Sequence, residues 1–139
     1  MAKLNKIMVL FEDGKIRMET VLYAVELARR MESGITVLML LTNNEINSED
    51  FVEKNIVNVV EAIKGSGIQV KGEIRYGDKT SEFFKFLASD YHPSTIVWGS
   101  NAKVITKWGG KRGHWFSKAI RHIGCSIVTP TIKNSYEER

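Results

Sequence analysis

Apolar residues in this chain switch repeatedly between two periods, and the switching restricts the fold more than any other feature. Five short runs rich in β-branched and large apolar residues read as strands: Lys6 to Phe11, Ile35 to Leu41, Gln69 to Tyr76, Thr95 to Trp98 and Ser126 to Thr129. Between them the apolar positions recur at spacings of three and four. Met18, Val21, Leu22, Val25 and Ala28 form one such set, and Val52, Ile56, Val59, Val60 and Ile63 a second. Phe83, Phe84 and Leu87 form the third, and Phe116, Ala119, Ile120 and Ile123 the fourth. Each set is the expected buried face of one helix. Gly34, Gly65, Gly67 and Gly124 follow these helices, where a residue of positive φ ends a helix at little cost, and Asp78 is a candidate N-cap for the third. Met8, Met18, Met31 and Met39 read as core filler.

Alternation of strand and helix, with continuous apolar runs in the first, second and fourth strands, implies an α/β fold. The expected form is a doubly wound parallel sheet of five strands with helices on both faces. In the third strand Gln69, Lys71, Glu73 and Arg75 alternate with Val70, Gly72, Ile74 and Tyr76, as expected of a half-exposed edge. The 139 residues suit a single domain, with a core over 6–130 and a polar tail over 131–139. Runs such as Val37 to Leu41 are far too short to span a bilayer, and the N-terminus lacks the apolar segment of a secretory signal. The one cysteine, Cys125, lies in an apolar context and reads as a buried, inert thiol, so a reducing, cytoplasmic setting is expected.

In open α/β sheets ligands bind beyond the carboxyl ends of the strands, where the strand order reverses. Strand one leaves through Phe11-Glu12-Asp13-Gly14 and strand four through Trp98-Gly99-Ser100, so these two exits are expected to flank the crevice. The second exit opens into an unusual segment. From Tyr91 to Tyr136 there is no Asp or Glu, whereas Lys103, Lys107, Lys111, Arg112, Lys118, Arg121 and Lys133 make it +7 within a chain of net charge +4. A glycine-punctuated cationic loop running into a helix N-terminus suits an anion such as a phosphate.

Several of these segments resemble the universal stress protein family, across Lys6 to Pro130. Tyr23-Ala24-Val25-Glu26-Leu27-Ala28 is similar to the family's first helix, and Arg75-Tyr76-Gly77-Asp78 to its glycine-aspartate turn. Val97-Trp98-Gly99-Ser100 is similar to its strand-four signature, and Arg121-His122 with Cys125-Ser126-Ile127-Val128 to the entry of its last strand. The resemblance implies strand order 3-2-1-4-5, homodimers paired through the last strand, and a stress-response module with an adenine-nucleotide site. It also implies ATP as ligand, with Mg²⁺ accompanying it, and a protein partner whose identity the residues leave open.

ATP-binding members carry glycine, two residues, glycine, nine residues, glycine, then serine or threonine. Here Gly99 fits the first glycine and Ala102 stands at the second; ten residues then precede Gly113, and His114 replaces the hydroxyl residue, with Ser117 a partial substitute. The family's aspartate at the end of strand one aligns with Glu12, one methylene longer. The implied site is therefore a degenerate one, comprising Phe11, Glu12, Leu41, Gly99, Ser100, Ala102, Lys111, Arg112, Gly113, His114 and Ser117. Gly109-Gly110-Lys111-Arg112-Gly113 offers the glycines and cations of a different phosphate cradle.

Other readings compete. Glu12 with Asp13 suits Mg²⁺ or a ribose, or simply a turn and cap cluster. Trp108 and Trp115 suit stacking on a base, a partner's groove, or cover for the core. Lys111 and Arg112 suit a phosphate or plain solvation, and His92 and His122 have no neighbour at metal-ligand spacing. The chain carries no nucleophile elbow and no Walker lysine motif, so at most slow ATP hydrolysis is expected. A universal stress protein that binds partners without nucleotide is the alternative function. Nucleic-acid binding through the basic segment and a phosphorelay receiver rank behind it, the latter because Asp78 falls in a helix-capping turn.

Overall fold

Burial in the computed structural model follows the two periods; it describes residues 6–42, 49–89, 92–99, 115–123 and 125–128. Strand β1 (Lys6–Glu12) leads to helix α1 (Met18–Met31), β2 (Gly34–Leu41), α2 (Glu49–Gly65), β3 (Val70–Tyr76), α3 (Lys79–Ala88) and β4 (Thr95–Trp98). Helix α4 (Trp115–Ala119), a 3-10 turn over Ile120–His122 and β5 (Ser126–Val128) complete the order. The strands form one parallel sheet in the order β3-β2-β1-β4-β5, as the resemblance implies. β1 and β2 are buried on both faces, which their unbroken apolar sequences require, whereas the half-exposed β3 lies at the edge.

Alternation along the strands divides the core in two. Ile7, Val9 and Phe11 of β1, with Val37, Met39 and Leu41 of β2, face α1 and α2, packing on Val21, Ala24, Val52, Ile56, Val59 and Ile63. Met8 and Leu10, with Leu38, Leu40, Ile96 and Trp98, face α3 and α4, packing on Phe83, Phe86, Phe116 and Ala119. Gly72 lets α2 close on β3: a Cβ there would lie 2.9 Å from the Cγ2 atoms of both Ile56 and Val60.

Several local expectations are corrected. Met18 (48 % exposed) and Leu22 (62 %) are not part of the buried face of α1, which consists of Thr20, Val21, Ala24, Val25 and Ala28. Met18 and Leu22 sit together on one flank of the apolar stripe, and the covered face is displaced to the other side, where Thr20 and Ala24 join it. Helix α1 is ended by Glu32, in the left-handed conformation at φ 53°, with its N–H on Ala28 O and Arg29 O, while Gly34 already begins β2. Gly65 lies inside α2, and Gly67, at φ 85°, makes the turn. The fourth periodic set is α-helical only to Ala119 before tightening into the 3-10 turn. Cys125 is half-buried rather than buried, and desolvation raises its thiol pKa, outweighing a backbone hydrogen bond. Gly124 and Thr129 lie outside the described residues.

Candidate functional site

Continuing the alternation of β1 by one residue past Phe11 sends the side chain of Glu12 to the α3/α4 face of the sheet, at the strand end where β2 and β4 depart to opposite sides. Glu12 is only 5 % exposed, so its charge needs partners. Its Oε1 accepts from Lys79 Nζ at 2.8 Å and from the indole Nε1 of Trp115 at 2.9 Å. Lys79 Nζ also donates to Asp13 Oδ1 at 2.6 Å.

Local sequence explains how these groups meet. After Glu12 the chain reverses through Asp13 (φ 60°) and Gly14 (φ 74°), held by Asp13 N on Leu40 O and Lys15 N on Glu12 O. Asp78 caps α3, its Oδ2 accepting from Ser81 N at 2.9 Å, which makes Lys79 the first helical residue and turns it toward the end of β1. Trp115, first in α4, packs edge-on against Phe83 and Trp98 with centroids at 5.7 and 6.1 Å, beside a Trp98–Phe116 stack at 4.1 Å. It thus covers the core while its N–H meets the carboxylate. Burial pulls the Lys79 pKa down, but hydrogen bonds to Asp13 and Glu12 and the charges of both outweigh it, and the net shift is upward. The ammonium is therefore fixed in place at neutral pH.

The other sequence-derived site residues fall into two groups. Phe11 and Leu41 are core residues of the α1/α2 face, 0 % and 1 % exposed, and Leu41 O accepts from Gly77 N at 2.9 Å. Gly99 donates its N–H to Leu10 O, and a Cβ at this position would stand 2.5 Å from Phe11 Cε1. Here a glycine is demanded by the Phe11 ring, whatever else it does. Ser100, Ala102, Lys111, Arg112, Gly113 and His114 lie outside the described residues, as do Trp108 and the side chain of Ser117. Lys79 is the residue that sequence reasoning missed.

Glu12, Asp13, Lys79 and Trp115 together make a fixed, charged corner at the carboxyl edge of the sheet. The corner sets two carboxylates beside one ammonium and one indole N–H, a polar group of fixed geometry. Asp78 caps the helix, as the sequence predicts. Among the described residues no helix is long and apolar enough to cross a membrane.

No protein-family model matches the chain, and no curated protein matches it by sequence. Solved structures do. The universal stress protein UspA from Lactobacillus plantarum aligns over 94 % of this chain and 100 % of its own, with a TM-score of 0.68 at 17 % identity. The universal stress protein from Archaeoglobus fulgidus in complex with dAMP covers 93 % of this chain and 98 % of its own, with a TM-score of 0.60 at 13 % identity. A universal stress protein family protein from Arabidopsis thaliana with AMP bound covers 94 % of both chains, with a TM-score of 0.60 at 15 % identity. Across this distance the likeness is one of fold: the chain has the five-stranded α/β fold of universal stress proteins.

Proposed function

We propose that the chain is a universal stress protein, a small homodimeric module of the cytoplasm that takes an adenine nucleotide at the carboxyl edge of its sheet. The observation that carries this reading is the Glu12 carboxylate, buried where the strand order reverses and held in one orientation by Lys79 and Trp115. Two solved proteins of the same fold carry AMP or dAMP. A fixed acceptor suits the sugar hydroxyls of such a ligand, and the cationic segment that enters α4 suits its phosphate.

The departures at Ala102, Gly113 and His114 weaken a cradle that depends on several N–H groups meeting one phosphate at once. The site is accordingly a weak one, with ATP bound no better than AMP and hydrolysis slow at most. Dimers form through β5, which ends the sheet order among the described residues. A second reading, a module that binds protein partners and no nucleotide, is favoured by one fact: Glu12 Oε1 already accepts from two donors.

Native mass spectrometry of the purified protein, followed by calorimetric titration with AMP and ATP, separates the two. The nucleotide reading expects a dimer mass and saturable binding of AMP that Gly113→Val removes by blocking backbone approach. A dimer that neither carries nor takes up nucleotide at millimolar concentration leaves the second reading. Binding unchanged in Gly113→Val would place the phosphate elsewhere.

A further inference from the structure

We infer that Lys79 is a tethered cation occupying the position a divalent metal would take between Glu12 and Asp13, so that the crevice binds its ligand without Mg²⁺. The inference deepens the nucleotide reading by removing the metal that the resemblance implies, but the exclusion of metal rests on this chain's own residues.

One nitrogen touches both carboxylates, at 2.8 Å from Glu12 Oε1 and 2.6 Å from Asp13 Oδ1; the Lys79 side chain is 17 % exposed, that of Glu12 5 % and that of Asp13, at the rim, 37 %. Mg²⁺ demands oxygens at about 2.0–2.1 Å in octahedral array and keeps several waters, and the place between the two carboxylates that it would need is taken by the Lys79 ammonium. A carboxylate oxygen has two lone pairs, and those of Glu12 Oε1 are directed to Lys79 and to the Trp115 N–H at 2.9 Å. A dication arriving beside the ammonium would also meet like charge at contact distance. Among the described residues no group of three or more His, Cys, Asp or Glu is set to hold a metal.

The position of Lys79 in sequence agrees. It is the first residue of α3, where the helix dipole disfavours a cation, and what holds it there is the carboxylate pair. The upward shift of its pKa keeps the cation in place throughout the neutral range.

The test uses Mn²⁺ alone, followed by electron paramagnetic resonance, on the full chain and on Lys79→Met. The wild type is expected to show no stoichiometric site at millimolar Mn²⁺. Lys79→Met is expected to gain one, bound about tenfold or more tighter than by the wild type, and to lose it again when Glu12→Gln is added. A stoichiometric wild-type site that Glu12→Gln removes would overturn the inference, as would a folded Lys79→Met that gains nothing. Should Lys79→Met fail to fold, Lys79→Gln, which keeps a donor for Glu12 without the charge, is held to the same outcomes. In parallel, AMP binding to the wild type should be unchanged by EDTA, and a tenfold loss would also count against the inference. If AMP does not bind at all, the nucleotide reading fails while the Mn²⁺ measurements still decide the role of Lys79.

Discussion

A methyl group added at Gly99 has nowhere to go. It would stand 2.5 and 2.6 Å from two carbons of the Phe11 ring and 3.2 Å from Leu10 O, and the ring is fully buried. Gly99→Ala should therefore destabilise the protein by about 1–3 kcal/mol, the usual cost of overpacking, as read by urea denaturation. Phe11→Leu in the same chain should recover part of that loss, and strictly additive effects would show that the two do not compete for space. A Gly99 variant that lost ligand binding would thus say little about phosphates. Lys79 gives the complementary lesson about what sequence reveals. Its contacts reach 67 and 66 positions back along the chain, and no local periodicity reports on them. The one signal in the sequence was electrostatic: a lysine at the first turn of a helix sits against the dipole, and needs an acidic partner to be there.

Helix α1 shows the same divide between element and residue. Its existence was legible from Met18 to Ala28, because five apolar positions spaced by three and four suit a helix and neither a strand nor a loop. Which of them meet the sheet was not, since Met18 and Leu22 lie on one flank of the stripe and the covered face is displaced to the other. Its end was misplaced for a related reason. Glycine is the expected residue at a left-handed position, yet Glu32 holds φ 53° with its N–H bonded to two carbonyls. Glu32→Gly should accordingly stabilise the protein by about 0.5 kcal/mol, the relief of strain less the added backbone entropy, measurable by chemical denaturation. Destabilisation would mean that the glutamate side chain contributes more than its backbone costs.

At the scale of the whole molecule, a parallel sheet with buried central strands and a half-exposed third strand was legible because those strands have distinct sequences, whereas the order β3-β2-β1-β4-β5 was implied only by the family resemblance. The altered glycine motif was legible too, but its consequence was not, because a phosphate cradle is a matter of backbone direction and a sequence records only residue types. The closed corner at Glu12 adds a global property. The Lys79 pKa lies above its ordinary 10.5, with Glu12 and Asp13 facing it, so the ammonium's contribution to stability is complete below 10.5 and fades as pH rises through the higher folded value. Thermal melts should show wild type losing its advantage over Lys79→Met only above that pH. Parallel curves through the alkaline range would show that the ion pairs contribute nothing to folding.

The indole of Trp115 ends on the same oxygen as Lys79, which gives the protein an optical reporter of its own. Anything that displaces the ammonium alters the field at the ring nitrogen, and ultraviolet emission would register the change without a label.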